Sequence, residues 1–311
     1  MKRTCAFLIL NYNGSKLLQE ALPSIIEVAK ENNIENEVVV IDNGSTDDSE
    51  NIVKELFPVV KWYKASANRF LISYNEYLVK TNHTNVFLLN NDVVLRPGSL
   101  SKLLDHFEKP GLFSVAPLVV NPGNIPENGR TYIKSSQFRF KYEVVDFKYG
   151  LTALASTSAG LYDREKLMAM GGFDDMLYPM YGEELDLSIR AYRRGWNVLF
   201  DPSFVIDHIG GASINKSVNR TRRRISLVKN RHLLMIKHIH NDAKLTAYFL
   251  WNMLLLPVRL LTIDKGFIIG TIRAIKQLSY AYQRRNEEKQ KAVLNDKQLY
   301  KILREIKYKS I

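Results

Sequence analysis

The chain has 311 residues, a formal net charge of +12, 46% hydrophobic residues and 24% charged residues. This composition excludes a disordered polymer and suffices for one large α/β domain with an appendage, or for two domains. A single cysteine, Cys5, excludes a disulfide framework and a cysteine-rich zinc site, and suits a reducing compartment; Lys2 and Arg3 precede an apolar stretch that Asn11 ends too early for a signal peptide.

Residues 5–10 read as a buried strand that runs into Asn11-Tyr12-Asn13-Gly14. Leu17, Leu18, Leu22, Ile25, Ile26 and Ala29 carry helical periodicity over residues 15–30. Val38–Ile41 form a second strand ending in Asp42-Asn43-Gly44-Ser45, after which Asp48 and Ser49 are placed to cap a helix through Leu56. Strand and helix alternating at this spacing mean right-handed βαβ units and a parallel sheet. A third strand is expected near Val59–Tyr63 and a helix over Phe70–Lys80.

Val86–Leu89 then form a strand buried on both faces that breaks off in Asn90-Asn91-Asp92. Ligands of open α/β sheets sit outside the carboxyl ends of the strands, so Asp92 lies where chemistry is expected. A carboxylate flanked by amides is a hard-oxygen site suited to Mg²⁺ or Mn²⁺ on a diphosphate. Taken alone the triplet favours a turn. Strand ends bearing Asn11/Asn13, Asp42/Asn43 and Asn91/Asp92 on one sheet edge favour a nucleotide site instead. No Gly-x-Gly-x-x-Gly and no Gly-x-x-x-x-Gly-Lys-Ser/Thr motif follows the first strand, so a diphosphate here needs a cation.

Pro97-Gly98-Ser99 opens a helix through Phe107, Phe113–Val120 reads as a strand, residues 121–130 as an exposed loop, and residues 138–149 as a hairpin or irregular strands. Tyr181-Gly182-Glu183-Glu184-Leu185-Asp186 starts the next helix, closed by Gly195. The helix dipole accounts for one or two of these carboxylates; a third beside them would raise a pKa by like-charge repulsion, as a general base requires. Asp186 and Arg190, four apart, are expected to pair along the surface. Trp196–Asp201 reads as a further strand, Phe204–Ile206 leads into Asp207-His208, and His208, ahead of Gly210-Gly211, is the best metal or phosphate candidate among the histidines.

The motifs Leu10-Asn11-Tyr12-Asn13, Val40–Asp47, Leu89–Asp92, Gly171–Asp174, Glu183–Leu187 and His208–Ser213 together resemble the family 2 glycosyltransferases, especially bacterial members that include rhamnosyltransferases. The resemblance covers about residues 5–240. It implies the GT-A nucleotide-diphospho-sugar transferase fold: an α/β, mostly parallel sheet flanked by helices, with a helical C-terminal arm. It implies donor contacts from Asn11, Asn13, Asp42, Asn43 and Ser45, joined by Asn75, Asn91 and Asp92. It implies Mn²⁺ or Mg²⁺ held by Asp92 with His208, and inversion with a carboxylate of the Glu183–Glu184 pair as base, Asp186 completing the cluster. The family usually has Glu-Asp there, so Glu184 stands in the base position with one extra methylene. Between Asn68 and Asn75 the family often has glycines, where this chain has Arg69, Leu71, Ile72 and Ser73.

Residues 1–215 are thus read as the catalytic domain, 216–283 as a basic and apolar helical arm, and 284–311 as a charged tail. Eight Lys or Arg residues and no acid lie between Lys216 and Lys237, which suggests an anionic partner. Leu245–Leu261 is about as long as a minimal membrane span, but Pro257 and Arg259 suit the membrane interface better. A helical hairpin packed on the catalytic domain is the competing reading. The expected partners are a nucleotide-diphosphate sugar, a glycan or lipid-linked acceptor and an anionic membrane, with the chain peripheral at the cytoplasmic face. A nucleotidyltransferase would need a basic, glycine-rich loop after the first strand. A non-catalytic nucleic-acid or membrane binder would leave the carboxylates unexplained, and nucleic acid is not an expected partner.

Overall fold

Side chains of the first strand, β1 (Cys5–Asn11), alternate between two faces of the sheet, and both faces are covered. Cys5, Phe7 and Ile9 pack with Leu18, Leu22 and Ile25 of α1 (Ser15–Glu31). Ala6 and Leu8 join a second cluster with Tyr74, Tyr162, Leu187 and Leu299. Burial on both sides is why the strand is an unbroken apolar run. The structure, a computed structural model, describes residues 3–31, 35–136, 139–210, 220–261 and 264–308.

The first half of the sheet runs β3 (Lys61–Lys64), β2 (Asn36–Asp42), β1, β4 (Asn85–Asn90), all parallel. They are joined through α1, α2 (Ser49–Leu56) and α3 (Tyr74–Leu78). Asn11 pairs in register with Asp42, and Leu10 with Asn90, so the polar strand ends lie side by side. The second half is mixed. It contains β5 (Val93–Leu95), β6 (Leu112–Val120), β9 (Gly150–Leu151), β10 (Ala159–Asp163) and β11 (Asn197–His208), continuing from β4 in the order β10-β6-β11-β5. β10 is antiparallel to both neighbours, β6 and β11 run parallel, and β5 and β9 lie antiparallel to β11. Because β10 runs against β4, its start lies beside the end of β4: Ala159 faces Leu89, and Asn90 N–H donates to Ser158 O at 2.9 Å.

Several elements differ from expectation for local reasons. The helix expected over Phe70–Lys80 is a 3₁₀ turn (Phe70–Ser73) followed by short α3, and Phe70 sits at φ +54°. That left-handed residue falls in the stretch where the family often has glycine. The Asp48 side chain makes no capping bond to α2, whose Ile52 N–H goes to the Asp48 carbonyl; the Asp47 carboxylate instead accepts from Ser49 N–H. The strand expected to end at Asp201 runs on to His208, with a register shift between Asp201 and Val205, where Pro202 has no N–H to give. α4 (Leu100–Asp105) is capped by Ser99, and β7 (Arg130–Ser136) pairs with β8 (Arg139–Asp146) as a separate hairpin.

After α5 (Arg164–Ala169) and α6 (Glu183–Arg193) the chain continues as α7 (Arg220–His238), α8 (Asp242–Leu261), α9 (Lys265–Lys276), α10 (Leu278–Lys291) and α11 (Asp296–Glu305). The basic stretch divides. Arg220, Arg222 and Arg223 are exposed, whereas Lys229 and Lys237 are buried. In α8, Leu245 and Tyr248 are buried while Leu250, Met253, Leu254, Val258 and Leu261 are exposed. Among the described residues no helix is long and apolar enough to cross a membrane. The charged tail returns to the body: Leu299, Leu303 and Ile306 are buried in the second cluster, and Asn295 with Gln298 forms a capping box.

Candidate active site

The aligned strand ends form one hydrogen-bonded shelf. Asn91 Nδ2 donates to Asn11 Oδ1 (2.7 Å), and Asn11 Nδ2 donates to Ser45 Oγ (3.1 Å) and Asp42 Oδ1 (3.4 Å). The Asp42 carboxylate, 3% exposed, also takes Gly44 N–H (3.1 Å), Ser45 N–H (3.0 Å) and Ser45 Oγ–H (2.5 Å), shaping the turn after β2. Asn13, exposed, accepts from Thr46 N–H at 2.7 Å, and buried Asn43 accepts from Ser73 Oγ–H at 2.5 Å. Asn11, Asn13, Asp42, Asn43, Ser45 and Asn91 therefore come together as read from sequence.

Asp92 lies just past β4 and is 7% exposed. Its Oδ2 is 3.2 Å from His208 Nε2, and His208 Nδ1 is 2.5 Å from Glu127 Oε2. The bond to Asp92, supported by Glu127 and opposed by burial, pushes the imidazole up to about 9. Asp92 Oδ1 is buried with no hydrogen-bond partner among the described residues. A side chain at Gly210 would place its Cβ 2.3 Å from Asp92 Oδ2, so the backbone can approach the carboxylate only as glycine. The orphaned Asp92 oxygen and, once its proton is lost, His208 Nε2 are two donors that suit a divalent cation, and Glu127 behind the ring orients the imidazole. No group of three or more such ligands converges among the described residues, so an ion here needs further ligands besides these two. Gly211, Ala212 and Ser213 lie outside the described residues.

Of the acidic pair, Glu184 reaches the same edge through the segment before β10. Glu184 Oε1 accepts from Thr157 Oγ–H at 3.1 Å, and Thr157 immediately precedes Ser158, which is bonded to Asn90. Burial raises the Glu184 carboxyl and lifts Glu183, 9% exposed, to about 7; the neighbouring Glu184 and Asp186 add a smaller push on Glu183. Burial raises the phenols of Tyr74 and Tyr162, whose hydroxyls donate to Leu89 O (2.8 Å) and Ser156 O (2.6 Å); the charge of Asp92 also acts on Tyr74 and that of Glu184 on Tyr162.

Two expected site residues are occupied elsewhere. Asn75 donates to Phe173 O (2.8 Å) and accepts from Phe173 N–H (2.9 Å), so its amide clamps the Gly171–Asp174 segment instead of facing a donor. Asp186 does pair with Arg190, at 2.6 Å, but the pair is buried rather than on the surface. Lys237 (2.5 Å) and His238 (2.8 Å) also hold Asp186 Oδ1. Burial would raise this carboxyl, but Arg190, Lys237 and His238 outweigh it and hold it well below the usual range. It is a fixed anion, set apart from Glu183 and Glu184 by these partners. Glu127 and Thr157 belong to the site without having been read from sequence. Both lie in loops, Thr157 two residues before β10, and no motif marks either.

The family model for glycosyl transferase family 2 matches residues 7–171. No curated protein matches the chain. Among solved structures, GalNAc-T7 with UDP, GalNAc and Mn²⁺ is similar at 18% identity and TM-score 0.55, covering 67% of this chain and 44% of that one. The mannosyltransferase PcManGT from Pyrobaculum calidifontis, in complex with GDP-Man and Mn²⁺, is similar at 14% identity and TM-score 0.53, covering 88% of both chains. S. aureus TarS is similar at 15% identity and TM-score 0.53, with 78% of this chain and 41% of that one covered. These likenesses establish the GT-A-like fold. The family match, over more than half of the sequence, makes the chain a member of glycosyl transferase family 2.

Proposed function

We propose that the chain transfers a sugar from a nucleotide-diphosphate donor to an acceptor hydroxyl with inversion at the anomeric carbon, and that Glu184 is the base. The observation that carries this reading is the tether from Glu184 through Thr157 and Ser158 to Asn90, which sets a carboxylate with a raised pKa beside the strand end bearing Asp92. The acceptor oxygen bonds to the anomeric carbon as the bond to the diphosphate breaks, and its proton passes to Glu184. Asn11, Asp42 and Ser45 form the nucleoside shelf. Asp92 and His208 would hold Mn²⁺ or Mg²⁺, which neutralises charge on the leaving diphosphate when bound. Two similar structures, GalNAc-T7 with UDP and PcManGT with GDP-Man, both contain Mn²⁺, which supports this assignment.

We further propose a hexose or rhamnose donor and a glycan or lipid-linked acceptor in bacterial cell-surface polysaccharide synthesis, with the arm peripheral at the cytoplasmic face of an anionic membrane. Exposed apolar side chains on α8 and exposed arginines at the start of α7 support that location. A nucleic-acid-binding reading is disfavoured because Lys229 and Lys237 of the basic stretch are buried. The test is release of nucleotide from a panel of UDP-, GDP- and dTDP-linked sugars with and without Mn²⁺. Metal-dependent release from one donor is expected. Glu184→Gln should lower turnover about 10²–10⁴-fold while keeping donor binding. Asp92→Asn should lose metal-dependent donor binding. Unchanged turnover in Glu184→Gln would remove the base from the mechanism.

A further inference from the structure

Just before Glu183 the backbone from Met176 to Tyr181 turns its carbonyls toward one point on α7. Lys229 Nζ donates to the carbonyls of Tyr178 and, at 3.3 Å, Met176. Asn230 Nδ2 lies 2.6 Å from Leu177 O and 2.8 Å from both Met180 O and Tyr181 O. Only the NH₂ end of the amide satisfies carbonyls, so its orientation is fixed by these partners. Lys229 and Asn230 are 4% and 1% exposed.

The turn needs such support. Tyr181 has φ +82° and Gly182 φ +101°, two left-handed residues in succession, and a bulky side chain in that region is strained. Gly182 also lies against α7: a Cβ there would be 2.6 Å from Leu234 Cδ1. Arg223, at the start of the same helix, covers the Tyr181 ring at 5.6 Å. Glu183 and Glu184 follow directly as the first residues of α6. The family match ends at residue 171, so the turn and the helix that grips it lie outside the matched segment.

We propose that Lys229 and Asn230 are positioning residues: by gathering the carbonyls of Met176–Tyr181 they hold the strained Tyr181–Gly182 turn and so set where Glu183 and Glu184 stand. The kinetic consequence rests on the proposed transfer reaction; the structural one does not. Asn230→Asp keeps the volume but cannot donate from its carboxylate, and Lys229→Met keeps the stem without the ammonium. In each variant, amide hydrogen exchange followed by mass spectrometry should quicken at least tenfold across residues 176–186 and remain unchanged in β1, β2 and β4. Donor turnover should fall tenfold or more in kcat with KM within twofold. Lys229→Met serves if Asn230→Asp does not fold. Unchanged exchange at 176–186 overturns the proposal, as does quickening spread evenly through the sheet, or a rise in KM at constant kcat. Should the unmodified protein turn over no donor in the panel, local exchange alone decides the positioning role, and the transfer reading falls separately.

Discussion

Glu183 and Glu184 are the same side chain in adjacent positions, yet they meet different surroundings. Glu184 is tied to Thr157 at the sheet edge, whereas Glu183 faces α7, where its charge acts on Lys229. Burial dominates both shifts: it lifts Glu183 to about 7 and brings Lys229 down to about 8. The native state therefore holds the Glu183 proton more tightly than the unfolded chain does. The resulting stabilisation is full below pH 4.5 and disappears as the pH rises to 7, amounting to on the order of 3 kcal/mol. Denaturant titrations of Glu183→Gln and the unmodified chain should diverge across that window, with the variant gaining relative stability as the pH rises. A constant difference between them would contradict the assignment. Glu184 and Asp92 were legible in the sequence because they end or begin elements with strong periodicity. Glu127 was not, because a loop carboxylate has no pattern until folding brings it to His208.

At the scale of elements, α6 is held from below by charge. Lys237 of α7 bridges Asp186 at 2.5 Å and Asp174 at 2.7 Å, and Arg284 of α10 reaches Asp174 at 3.1 Å. A network this deep contributes little net stability when complete, but removing one partner leaves uncompensated charge. Lys237→Met should lower unfolding free energy by about 3–5 kcal/mol, and adding Asp186→Asn should recover part of the loss. Chemical denaturation of both variants checks this, and a loss below about 1 kcal/mol would make the network incidental. The four-residue spacing of Asp186 and Arg190 was plain in the sequence. That the pair is buried was not, because burial depends on α7 and α10, which lie far along the chain.

For the molecule as a whole, the arm combines two surfaces. Its inner side grips the acid turn and fills a cluster of Met176, Leu177, Leu233, Leu234 and Ala281. Its outer side leaves Met253, Leu254 and Leu261 at 68%, 72% and 83% exposure, an amount of apolar area that water does not favour. Exposed Arg220, Arg222, Arg223, Arg273 and Lys276 on α7 and α9 supply positive charge on the same arm. Sedimentation with vesicles containing anionic lipid should capture the protein, more weakly as salt rises. Leu254→Asp with Leu261→Asp should reduce capture at least tenfold without changing donor release. Capture that ignores both salt and these substitutions would exclude the bilayer as the partner of this face.

The sequence by itself determined the βαβ order, the polar strand ends and the acidic start of α6, because each follows from a short-range period or an abrupt break in it. It also carried the family through motifs in a fixed order. Only the tertiary structure decided that β10 runs against β4, that Asn75 and Asp186 are committed to structural bonds, and that α7 closes over the turn before Glu183. Each of these depends on contacts between residues distant in the chain, which pack according to shape and charge that no local pattern records.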